Sequence, residues 1–203
     1  MVCMGRLPRA AILCFSLLFR FAAAQVIEFE NHGLKYQTLT HNGVTVMFAV
    51  LPTHLREFTI MQVAVSNGST APYVVRPEDF YYVRNAGDPV EAAHAESVVA
   101  TLMQKGTGGD VVKLISTYEM ALYGIPHMRS TNGYESRRQA ALAFGSSKIR
   151  AAATAAAVAF VQAKLAPGET TDGAIFLPTE GKQLGSGHLE VRTNTDIFDF
   201  NPE

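Results

Sequence analysis

Apolar residues recur at every second position in several short runs closed by turn residues, the period of extended strands. In residues 58–66, Met61, Val63 and Val65 share one face and Ile60, Gln62 and Ala64 the other, so the first set is expected to face a core. Asn67-Gly68-Ser69-Thr70 follows as a turn. Upstream, residues 33–40 and 44–51 flank Asn42-Gly43, a pair that tolerates the positive φ of a type I′ turn and predicts a first hairpin. Pro52, which cannot donate to a ladder, is expected to end the second strand and leave 53–57 as a polar crossing. Residues 73–76 and 80–84 read as short strands kept apart by Pro77-Glu78-Asp79, the break of a strand that changes sheets. The strand pattern returns at 161–165, 171–177, 188–193 and 197–200, with Pro167-Gly168-Glu169 as a turn and 181–187 as a flexible loop.

Between these runs the pattern becomes helical. Asp88-Pro89 has the residue types of a helix start, which predicts a first helix over 90–105 ending at Gly106. Asp110 is expected to cap a second helix over 111–123, with Val111, Leu114, Ile115, Tyr118 and Leu122 on one stripe and Gly124-Ile125-Pro126 as its end. Residues 134–144 and 148–158 predict a third and a fourth helix. The last is almost pure alanine from 151 to 157, which suits close helix packing. About eight strands around one contiguous block of about four helices describe a mainly β domain. The expected fold is an immunoglobulin-like antiparallel β-sandwich carrying a helical insertion at about 88–158.

The first 24 residues have the order of a signal peptide: Arg6 and Arg9, an apolar run over 10–19, then Ala22-Ala23-Ala24. Ten apolar residues are far short of the roughly 20 that span a bilayer, so cleavage before Gln25 is expected rather than anchoring. Residues 25–203 then form a single domain with no stable membrane span. Cys3 and Cys14 both lie in the leader, so the remainder has no thiol for a disulfide, a metal or a nucleophile. Without the leader's three arginines, 14 basic residues face 18 acidic ones, a formal charge of −4 that argues against nucleic acid as a partner.

Three segments carry a resemblance: Val63-Ala64-Val65-Ser66-Asn67, residues 74–80 (VVRPEDF) and residues 167–176 (PGETTDGAIF). They resemble uncharacterised bacterial envelope and secreted proteins with an immunoglobulin-like domain. In those, a strand ending in Asn is followed by a Pro-containing strand and, much later, by a PGE-x-x-x-G strand. The resemblance covers about half of the chain after residue 24, leaves out the helical block, and implies export to the periplasm or beyond. It brings no catalytic residues.

Candidate chemistry is sparse. His32, His41, His54, His94, His127 and His188 show no HExxH and no close pair at a ligand spacing, so no metal site is expected. Gly185-Ser186-Gly187 lacks the spacing of a nucleophile elbow, and the glycine-rich opening at 106–110 lacks the lysine of a phosphate-binding loop. Glu78-Asp79 reads as turn chemistry with a salt link to Arg76 or Arg84, and the Asn67-Gly68-Ser69 sequon is already explained by the turn. No cofactor is expected.

The helical block supplies the remaining candidate. Tyr118, Tyr123, Met128, Tyr134, Arg137 and Arg138, with Met120, cluster in its middle and have the composition of a protein interface, although half of them are expected in the core. The expected function is a non-enzymatic binding module that uses its helical insertion to contact another envelope or secreted protein. On this reading, replacing 89–158 by a linker leaves a folded sandwich that no longer binds. An alternative is an envelope hydrolase or small-ligand binder using His94 or His127 with Glu119 or Glu135. A structural coat component is a third reading.

Overall fold

A computed structural model describes residues 25–125 and 130–201. The leader, His127 and Met128 lie outside those residues. The described chain is mainly β. It runs β1 (Ile27–Asn31), β2 (Leu34–His41), β3 (Val44–Leu55), β4 (Phe58–Asn67), β5 (Tyr73–Val75), β6 (Phe80–Arg84) and β7 (Val90–Glu91). Four helices follow, α1 (Ala95–Lys105), α2 (Gly108–Tyr123), α3 (Tyr134–Leu142) and α4 (Ser147–Val158). The chain returns to strands in β8 (Ala163–Leu165), β9 (Thr170–Pro178), β10 (Gly187–Arg192) and β11 (Ile197–Asp199). None of the described helices is long and apolar enough to cross a membrane.

The strands form three antiparallel sheets, ordered β1-β2-β3-β4-β9, β11-β10-β6-β7 and β5-β8. Met61, Val63 and Val65 of β4 face the two smaller sheets, in a core with Phe80, Phe198 and Phe200, as the alternation predicts. The opposite face of the five-stranded sheet is equally buried. Tyr36, Ala49, Phe58, Ile60 and Phe176 pack there against Val98, Leu102, Leu114, Tyr118 and Ala155 of the helices. The helical block is therefore a third layer on this sheet, and every residue of β4 except Ser66 is buried.

Several expectations are corrected. A strand precedes the first predicted one: β1 pairs with β2 through a turn at His32-Gly33 whose φ angles, 50° and 76°, match those of Asn42-Gly43, 48° and 80°. Pro52 does not end β3, because the ladder shifts register between Val50 and His54 and leaves the proline no bond to supply. Val90 and Glu91 pair with Tyr82 and Tyr81, so Asp88-Pro89 leads into β7 and α1 begins later, after His94. The second helix is capped by Thr107, with Asp110 accepting from the Thr107 backbone N–H three residues back. Pro77-Glu78-Asp79 does separate strands of different sheets, as a single 3₁₀ turn in which Asp79 accepts from the Arg76 N–H at 2.8 Å.

Two contacts fix the helical layer to β9. The Ala93 N–H donates to Phe176 O at 2.7 Å just before α1, and the Phe160 N–H donates to Ala174 O at 2.9 Å just after α4. Next to Ala174, Gly173 lies against the Phe160 backbone: a Cβ there would sit 2.7 Å from Phe160 N and 2.8 Å from Phe160 Cβ. A third tie runs from the β3–β4 turn, where Arg56 Nη2 donates to Asp110 Oδ2 at 2.5 Å and to Lys105 O at 2.7 Å. Burial pushes the Asp110 carboxyl up, but hydrogen bonds from Thr107 and Arg56 outweigh it and hold the group below the ordinary carboxylate range.

Gly173→Ala is expected to cost about 3 kcal/mol, because the clash is with backbone that cannot rotate away. Thermal unfolding followed by circular dichroism should show the loss, and a wild-type Tm would remove the close approach from the account.

Candidate interaction surface

The second and third helices meet along a seam of hydrogen-bonded side chains. On α2, Tyr118 turns inward and is buried, whereas Tyr123 turns outward and is 43% exposed. Tyr134, the first residue of α3, is fully buried and packs its ring edge-on to Tyr118 at 4.9 Å. Glu119 Oε1 accepts from Tyr134 Oη at 3.0 Å and from Arg138 Nη1 at 2.7 Å, and Glu135 Oε1 accepts from Tyr123 Oη at 3.0 Å. Arg138 also lies over the Tyr134 ring, 5.9 Å from its centroid.

Beneath the seam lies a buried carboxylate that sequence reading did not single out. Asp172, on β9, accepts from Tyr118 Oη at 2.6 Å and from the Thr131 N–H at 3.1 Å, with Ser130 Oγ 3.0 Å away. Asn132 Nδ2 donates to Asp172 O, and Thr131 Oγ1 donates to Thr170 O. The segment leading into α3 is thus stitched to β9 by side chains from three consecutive residues. The sequence signal for this site is a charged residue at an inward position of a strand that runs on as the apolar Ala174-Ile175-Phe176-Leu177.

Of the six interface candidates, Tyr118 and Tyr134 belong to the core and present nothing to a partner. The α2–α3 seam keeps Tyr123 on the surface and Arg137 and Arg138 half-buried. Met120 is 37% exposed beside them, and Val112 at the other end of the same helix is 66% exposed.

Among the described residues of the hydrolase reading, His94 and the two glutamates have separate partners. His94 sits 3.3 Å from Glu78, while Glu119 and Glu135 are engaged by Arg138, Tyr134 and Tyr123. An open groove of about 670 Å³, lined by Arg84, Asp88, Glu91, Glu180 and Lys182, contains none of those residues. Asn67 is buried, with its side chain donating to Ala71 O and Leu165 O and accepting from Ser69, so its place in the sequon is a turn role. The chain matches no family model, no curated protein and no solved structure.

Burial and the nearby carboxylates push the three tyrosines up: Tyr123 to about 12, and Tyr118 and Tyr134 far above the ordinary phenol value. All three are donors at neutral pH.

Asp172→Ala strands the buried Tyr118 hydroxyl and is expected to cost about 2–3 kcal/mol. Tyr118→Phe in that background should recover at least about 1 kcal/mol; additive losses in the double-mutant cycle would show that the pair is not coupled.

A raised phenol contributes stability that is complete below its unfolded value and is lost as the pH rises toward its folded one. Unfolding free energy should therefore fall above about pH 10, and less steeply in Tyr118→Phe. Equal slopes in denaturant titrations would contradict the assigned burial.

Proposed function

We propose that this chain is an exported, non-enzymatic interaction module that binds another envelope or secreted protein through the outer face of α2 and α3. The observation that carries this reading is the outward stripe of α2, where Met120 and Tyr123 are exposed beside Arg138. Tyrosine and arginine dominate binding energy at protein interfaces, and a side chain already held in place loses little entropy on binding. Tyr123 is held by Glu135 and Arg138 by Glu119, so the face is preorganised. Export is supported by the order of charge, apolar run and small residues over 1–24. The immunoglobulin-like class is supported by facing antiparallel sheets that share one core, together with the three segments that carry the resemblance.

Met120→Ser with Tyr123→Ala removes exposed groups only, so the fold should lose no more than about 1 kcal/mol. In a crosslinking pull-down from an envelope fraction, a partner captured by the wild type should be lost with this variant. Equal capture by both proteins would remove the α2–α3 face from binding.

A further inference from the structure

The two outer edges of the five-stranded sheet differ. The edge of β9 is occupied by the main chain of Ala93 and Phe160. Among the described residues no strand pairs with the outer edge of β1. Its five residues present about 17 Å of extended backbone with one row of N–H and C=O groups unpaired. The edge strands of the two smaller sheets, β5, β7, β8 and β11, are only two or three residues long.

This edge is already shaped for a guest strand. Phe29 stacks on Tyr36 with centroids 5.1 Å apart and planes 7° from parallel, and Tyr36 Oη donates to Ala121 O at 2.9 Å. Asn31 Nδ2 donates to Gly124 O, fixing the far end of the strand to the end of α2. The helix-side face of β1 carries Ile27, 59% exposed, and Phe29, 38% exposed, and the opposite face carries the exposed Glu28 and Glu30.

Charge selects the occupant. A second copy pairing antiparallel about Phe29 would set Glu28 of each chain against Glu30 of the other, and like charges directly opposite destabilise a sheet. Lys35, opposite Glu30 on β2, balances only one of the two carboxylates. We propose that β1 is an acceptor edge for strand addition, taking an extended segment of another protein in which apolar residues alternate with lysine or arginine. Main-chain bonds supply affinity, Ile27 and Phe29 receive the apolar residues, and Glu28 and Glu30 select the cations. No side chain of the α2–α3 face takes part, so this inference stands apart from the preceding one.

The test is fluorescence anisotropy with a capped hexapeptide alternating valine and lysine, its valine–glutamate counterpart, and two lysine peptides N-methylated at alternate residues. The lysine peptide should bind at least about tenfold more tightly than the glutamate peptide, and one of the two N-methylation patterns should weaken binding about tenfold. Glu28→Lys with Glu30→Lys, at unchanged Tm, should reverse the charge preference. Equal binding of both N-methylated peptides would mean adsorption by charge alone and overturn the proposal. Absence of binding by any peptide, or binding only after removal of the residues before Val26, would overturn it as well.

Discussion

The structure depends on one close approach: the backbone of Phe160 against Gly173, beside the hydrogen bonds from Phe160 and Ala93 to Ala174 and Phe176 of β9. It brings the chain out of α4 onto the edge of the five-stranded sheet and sets the distance between helices and strands. With that distance fixed, Ile60, Phe58 and Phe176 meet Leu114, Tyr118 and Ala155 in a buried apolar layer. The alanine-rich α4 fits the same constraint, since Ala151, Ala152 and Ala155 let it lie close to its neighbours. Burial of β4 and β9 on both faces follows, and an antiparallel sheet with one wet face becomes the middle of three layers.

Polar groups buried in a middle layer need partners: Asp172 and Thr59 find theirs, whereas Gln62 Oε1 is buried with none among the described residues. Asp172 faces the helices, and its oxygens are taken by Tyr118, Ser130 and the Thr131 N–H. Thr59 and Thr179 bond each other at 3.1 Å at the other end of the same strand pair. The Asp172 network also orients the start of α3, and so places Arg138 and Glu135 against Glu119 and Tyr123. The exposed face proposed for partner binding is thereby anchored to β9 through Tyr118 and Asp172. The β1–β2 hairpin is held in a related way, since Asn31 and Tyr36 tie it to the end of α2.

Local chemistry was legible in the sequence where a few adjacent residues decide the outcome. Asn42-Gly43 makes its hairpin, Pro77-Glu78-Asp79 parts two sheets, and α2, α3 and α4 begin within a few residues of their expected starts. The layering was not legible. In β4 the residues that face the helices, Ile60, Gln62 and Ala64, include a polar one, which reads as a wet face although Gln62 is fully buried. Asp172 reads as part of a turn-and-strand motif, because its partners lie 41 to 54 residues away. Tyr118 carried both signals at once: its place on the apolar stripe with Leu114 and Leu122 marks it as core, and that periodicity outranks the composition that suggests an interface. Tyr134 has no such stripe and is buried by Tyr118 itself.

With one core shared between them, helices and sheets are expected to form one cooperative unit, so that the helical block is not a detachable display. The most direct measurement replaces residues 89–158 by a short linker and follows unfolding by far-ultraviolet circular dichroism and amide NMR. Loss of a cooperative transition is predicted, because Phe58, Ile60 and Phe176 would face water. A cooperative transition with dispersed strand amides would contradict the account and restore the helices to the status of an insertion on a self-sufficient sandwich.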